Sequence, residues 1–110
     1  MKLSDYVIYY LEQIGVRDVF LLSGGGMMHL LDSVSRSEQI STYYNLNEQA
    51  TSICADAYGQ YTNHLGVCMV TTGPGATNAI TGVVSAFQDS TPMLVISGQV
   101  KTTELAPEGV

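Results

Sequence analysis

The sequence predicts an α/β fold, a parallel sheet with helices on both faces. Three observations predict it. Four short apolar runs alternate with four stretches of helical spacing along 110 residues, a length suited to one domain. The apolar runs are nearly continuous in Val, Ile and Leu, as strands covered on both faces are. The glycine-rich and polar segments follow the strands, and right-handed crossovers collect all strand C-termini at one edge, where such sheets bind ligands.

Ser4 can cap a first helix to about Ile14, with Val7, Ile8, Leu11 and Ile14 on one face and Gly15 as its stop. Tyr6, Tyr9 and Tyr10 spread around this helix, which predicts one part in the core and another exposed. Residues 18–22 read as a buried strand, 23–26 as a turn and 27–36 as a second helix. Residues 40–44 form the second strand, 45–47 a short connection, and 48–61 a third helix in which Ala50, Ala55, Ala57 and Gly59 permit close packing. Residues 67–71 are the third strand, 72–75 a turn, 76–87 a fourth helix and 93–97 the fourth strand. Asp89 reads as a turn former before that strand, and Lys101–Val110 as a polar loop.

Composition narrows the function. Net charge is −6, and Lys2, Arg17, Arg36 and Lys101 are scattered, so the chain repels phosphate backbones and anionic membranes. No apolar run reaches the roughly 18 residues of a membrane span, and the N-terminus lacks a signal-peptide core, which points to a cytoplasmic setting. Cys54 and Cys68 have neither disulfide-framework nor zinc-ligand spacing and read as small buried thiols. Only 13% of residues are charged, so part of the surface is expected to face another chain or domain.

Ser23-Gly24-Gly25-Gly26 lies between a strand and a helix, as a dinucleotide fingerprint does, with Glu48 near the expected ribose-binding acid; His29 replaces the third glycine of that pattern. No Gly-Lys-Ser/Thr exists, which excludes a P-loop. Gly73-Pro74-Gly75-Ala76-Thr77-Asn78 is richer. Pro74 stiffens the turn, Gly75 lets backbone approach a ligand, and two polar residues, Thr77 and Asn78, open a helix that needs one cap. Glu48 at a helix N-terminus serves either as dipole compensation or, in a partly apolar cleft, as a proton relay. His29 and His64 read as packing or surface residues.

Asn47-Glu48-Gln49-Ala50, Ala55-Asp56-Ala57-Tyr58-Gly59, Thr72-Gly73-Pro74-Gly75-Ala76-Thr77-Asn78, Asp89-Ser90-Thr91-Pro92 and Ser97-Gly98-Gln99-Val100 occur in this order. Together they resemble the pyrimidine-binding N-terminal domain of thiamine diphosphate-dependent enzymes, the acetolactate synthase-like group in particular. The resemblance implies that Glu48 hydrogen-bonds N1′ of the cofactor aminopyrimidine and is the catalytic residue. It implies that Ser23, Gly24, Gly25, Pro74, Asn78 and Gln99 approach the cofactor. Ser23 stands where the family usually has proline, and Asn47 where many relatives have histidine.

The family's pyrimidine domain normally has six strands, so residues 1–110 are expected to be an incomplete N-terminal domain truncated to about four. The metal motif of the family, Gly-Asp-Gly, is absent here. Mg²⁺ and the diphosphate are therefore expected on a downstream domain, with no metal ligand in this chain. The implied parent is a homodimer or tetramer, with or without flavin, acting on a small 2-oxo acid. The isolated chain is then expected to be inactive, self-associating or marginally stable. Acetolactate formation, sugar-linked carboligation and oxalyl-type decarboxylation share this N-terminal pattern. A nucleotide-binding α/β module, or a non-catalytic relative that keeps the fold for assembly, is the alternative.

Overall fold

The structure is a computed structural model and describes residues 1–107. Four parallel strands, β1 (Asp18–Leu21), β2 (Ser41–Tyr44), β3 (Gly66–Val70) and β4 (Met93–Ser97), lie in the order β2-β1-β3-β4. Among the described residues five α-helices accompany them: α1 (Leu3–Gln13), α2 (Met28–Ser35), α3 (Glu48–Thr62), α4 (Pro74–Asn78) and α5 (Ile80–Gln88). This is the predicted α/β fold.

Alternation along the strands divides the core in two. Val19, Leu21, Val67, Met69, Leu94 and Ile96 face α1 and α2, where Ile8, Leu11, Met27 and Val34 cover them. Phe20, Cys68, Val70, Met93 and Val95 face the opposite side, where Ala55, Ala76 and Ala79 meet them. The small residues of α3 let that helix sit close: a Cβ on Gly66 would fall 2.0 Å from the Ala55 carbonyl oxygen. Ala55 makes this contact and Gly59 packs against Thr91 and Pro92 ahead of β4, whereas Ala50 and Ala57 are exposed.

Several expectations are corrected. Ser4 is not the cap of α1. Lys2 holds that place, with its backbone N–H donated to Asp5, and Ser4 is buried in the first turn, its hydroxyl 2.9 Å from that of Ser33. Gly15, at φ +89°, follows the end of α1 as expected. None of Tyr6, Tyr9 and Tyr10 enters the core, because Ser4, Ile8 and Leu11 form the buried stripe. Burial on both faces holds throughout β3 only; β2 and β4 are edges, and β2 is largely exposed. Cys68 is buried but Cys54 is only half-buried.

The predicted fourth helix starts earlier, at Pro74, and tightens at Ala79, whose N–H bonds to Ala76 three residues back. That step separates α4 from α5. Lys101 opens the expected polar loop, which includes a single 3₁₀ turn at Thr102–Glu104; residues 108–110 of it lie outside the described residues.

Candidate functional site

In the order β2-β1-β3-β4 the chain leaves β1 toward one edge and β3 toward the other. The gap between the C-terminal ends of β1 and β3 is therefore the switch point at which open α/β sheets bind ligands. Thr71, the residue after β3, joins the two turns there. Its hydroxyl accepts the Gly26 N–H (3.1 Å), and a Cβ on Gly24 would fall 2.4 Å from its own Cβ.

Two further segments converge beside Thr71. Asn47 is extended and caps α3, its side-chain oxygen accepting the Gln49 N–H (2.8 Å), which sets Glu48 in the first helical turn. A carboxylate is favoured there by the helix dipole. Across from it, Gly73 adopts φ +62°, a left-handed conformation open to glycine, and turns the chain into α4 with Pro74 at the first helical position. This short helix carries Asn78 to Glu48: Nδ2 donates to Oε2 at 2.8 Å and stands 3.4 Å from Asn47 Oδ1. Gly75 is buried between, with its missing Cβ 3.7 Å from Glu48 Oε1 and 2.7 Å from the Thr71 methyl.

Glu48, Thr71, Pro74, Gly75, Thr77 and Asn78 line an open cleft of ≈ 630 Å³. Glu48 is half-buried and is the one titratable side chain among them. The arrangement can hold a proton on a single carboxyl group beside a surface made of Pro74 and backbone.

The remaining predicted residues lie around this cleft, not in its lining. Gly24 packs on Thr71 and so supports it from behind, while Ser23 and Gly25 are exposed on the β1 turn. Gln99 accepts the Thr72 hydroxyl (3.1 Å) and the Val100 N–H (2.9 Å), tying the end of β4 to the β3 turn. His29 is exposed on the other side of the sheet, lining a groove of ≈ 450 Å³ with Leu3, Val7, Leu30 and Ile96. Among the described residues no three His, Cys, Asp or Glu side chains group to hold a metal ion. No helix among them is long and apolar enough to cross a membrane.

Two contributors were not singled out by sequence reasoning. Thr71 reads as the end of a strand, yet its hydroxyl and methyl contact three glycine positions. The signal was a β-branched hydroxyl residue directly before a glycine turn. Asp56 is buried on α3. Burial raises its carboxyl pKa, but hydrogen bonds from Gln60 (3.0 Å), Ser85 (2.8 Å) and Thr91 outweigh that and hold it below the usual carboxylate range. It fixes α5 to α3, and so the floor behind the cleft.

Residues 1–109 match the family model for the thiamine pyrophosphate enzyme, N-terminal TPP binding domain. The chain is 41% identical over 99 residues to acetolactate synthase 2, chloroplastic, of Zea mays, covering 90% of this chain and 16% of that protein. It is 40% identical over 100 residues to the acetolactate synthase large subunit of Buchnera aphidicola subsp. Schizaphis graminum (91% and 18%). The corresponding Lactococcus lactis large subunit is 40% identical over 97 residues (88% and 17%). The chain thus spans about a sixth of the length of these relatives. With the switch-point cleft, the match along nearly its whole length shows that this chain belongs to the family of thiamine pyrophosphate enzyme N-terminal TPP-binding domains.

Proposed function

We propose that this chain binds the aminopyrimidine of thiamine diphosphate in the Glu48 cleft, as the N-terminal part of a 2-oxo acid decarboxylase/carboligase of the acetolactate synthase type. The observation that carries the reading is the state of the Glu48 carboxyl group. Oε2 is held by Asn78, while Oε1 has no hydrogen-bond partner among the described residues and lies on the Gly75 side. The residues fit the group. A ring nitrogen needs one carboxylic acid donor, and a flat heteroaromatic ring needs an approach that a side chain at position 75 would block.

When bound, thiamine diphosphate supplies the carbanion chemistry at its thiazolium carbon. Glu48 would hold and share the proton at Oε1 with the ring nitrogen. Pro74 and Gly75 would give the ring a rigid apolar wall, and Thr71 would keep that wall against the β1 turn. Ser23, Gly24 and Gln99 would shape the rim. Mg²⁺ does not fit the described residues, and in this reading it and the diphosphate are held by another part of a longer polypeptide.

The outward faces of α3 and α5 expose Ile53, Tyr61, Ile80, Val84 and Phe87, which supports a homodimer or tetramer in which neighbouring domains cover them. A small 2-oxo acid substrate and a cytoplasmic setting belong to the same proposal. The test is Glu48→Gln in the complete enzyme. The variant should fold and lose most activation of the bound cofactor, whereas unchanged activation refutes the assignment.

A further inference from the structure

We infer that Asn78 is a positioning residue that decides which oxygen of Glu48 carries the proton. The inference rests on the reading of Glu48 just given, and it moves Asn78 from a cofactor contact to a group that acts through Glu48.

An amide nitrogen donates and never accepts. Asn78 Nδ2 faces two oxygens, Glu48 Oε2 at 2.8 Å and Asn47 Oδ1 at 3.4 Å. Asn47 Oδ1 is itself fixed as an acceptor, because it takes the Gln49 N–H. Turning the Asn78 amide over would set oxygen against oxygen at both contacts, so its orientation is determined by its neighbours. A proton on Oε2 would then point at an N–H. Any proton on Glu48 is thereby assigned to Oε1, the oxygen toward Gly75 and the cleft.

The surroundings leave Asn78 as the main lever. Thr71, Pro74, Gly75 and Thr77 do not titrate, and neither α4 nor α5 contains a titratable residue. Along α3, Cys54 and Asp56 lie more than one turn further on. The strands packed on α3 offer Cys68 in the middle of β3 and Asp18 at the far end of β1, and β2 ends in the exposed Tyr44. Among the described residues Glu48 forms no ion pair.

The experiment measures the affinity of thiamine diphosphate with Mg²⁺ for the complete enzyme by calorimetry, from roughly pH 5.5 to 9, for wild type and variants. A ring nitrogen requires protonated Glu48, so wild-type affinity should fall above a break that Glu48→Gln removes. The cofactor's own phosphate titration is common to every protein and cancels in the ratio of variant to wild type. Asn78→Ala should move the break up, because Oε2 is then also free to take the proton. Asn78→Asp keeps the shape but replaces the donor by a like charge, and should move it further. Asn78→Gln, which restores an amide donor, should bring it back toward wild type. Affinity lowered equally at all pH values, with the break unmoved in both Asn78→Asp and Asn78→Ala, would overturn the inference while leaving Glu48 in place. A break that persists in Glu48→Gln, or a wild type without one, would overturn the reading of Glu48 and the inference with it.

Discussion

Replacing Gly66 by alanine tests the packing that puts Glu48 where it is. The new Cβ would meet the Ala55 carbonyl oxygen at 2.0 Å, its carbon at 2.8 Å and its Cα at 3.3 Å. These are backbone atoms of α3 and cannot rotate aside, so the helix must withdraw by roughly 1.4 Å to restore ordinary contact. Overpacking of this kind costs about 1–3 kcal/mol, and a fully backbone-lined contact belongs at the upper end. That is a loss of about two orders of magnitude in the folding equilibrium. Alanine's lower unfolded-state entropy returns only about 0.4–1 kcal/mol.

The displacement also matters for the site. Glu48 opens α3, and a withdrawal of that size would stretch its 2.8 Å bond to Asn78 past hydrogen-bond length. The assay is urea unfolding followed by far-UV circular dichroism, with Gly25→Ala as the control. Position 25 has open space where a side-chain carbon would stand, so its cost should stay within about 0.5 kcal/mol. Equal stability of the two variants would refute the close approach of α3 to β3.

The other predictions concern acid stability and thiol reactivity. Asp5 is held at about 2, below its ordinary 3.8, chiefly by the Ser33 hydroxyl, with Arg36 and the Lys2 N–H also lowering it against the effect of burial. Its folded pKa is depressed, so its stabilisation is complete above the unfolded value and is lost as pH falls from about 4 toward 2. Asp5→Asn should flatten the fall of the urea midpoint across that window, and a wild-type slope in the variant would count against the contact. Burial, with a smaller effect from Cys54, pushes the Cys68 thiol up to about 12, so iodoacetamide at about pH 8 should modify half-buried Cys54 and spare Cys68 until urea unfolds the chain. Equal native rates at the two thiols, read by mass spectrometry, would contradict that burial.

The sequence carried the local parts of this architecture well, because they depend on local chemistry. Gly15 and Gly73 mark places where the backbone turns left-handed, and Gly73-Pro74-Gly75 with Glu48 marked the cleft. Strand order was not legible, since parallel strands pair through crossovers whose partners leave no local pattern. The edge position of β2 follows from that order, and so its exposure was missed. Ser4 has the chemistry of a cap, but Asp5 with Lys2 starts the helix two residues earlier and leaves Ser4 to bond Ser33. The break at Ala79 depends on α4 leaning over the cleft while α5 lies on α3, a tertiary requirement that alanine does not announce. Thr71 and the Asn78–Glu48 bond are contacts between segments distant in the chain, which periodicity cannot show.

The proposed role of Glu48 is to present a proton from Oε1 to the aminopyrimidine of thiamine diphosphate. Its most direct test is the exchange rate of the cofactor's thiazolium C2 proton in the complete enzyme, wild type against Glu48→Gln, each saturated with cofactor and Mg²⁺. Glutamine keeps the size and the Asn78 neighbour but cannot relay a proton, so exchange should fall by about 10²–10⁴-fold, the usual worth of a positioned acid–base group. Exchange at the wild-type rate in a folded, saturated Glu48→Gln enzyme would contradict the claim.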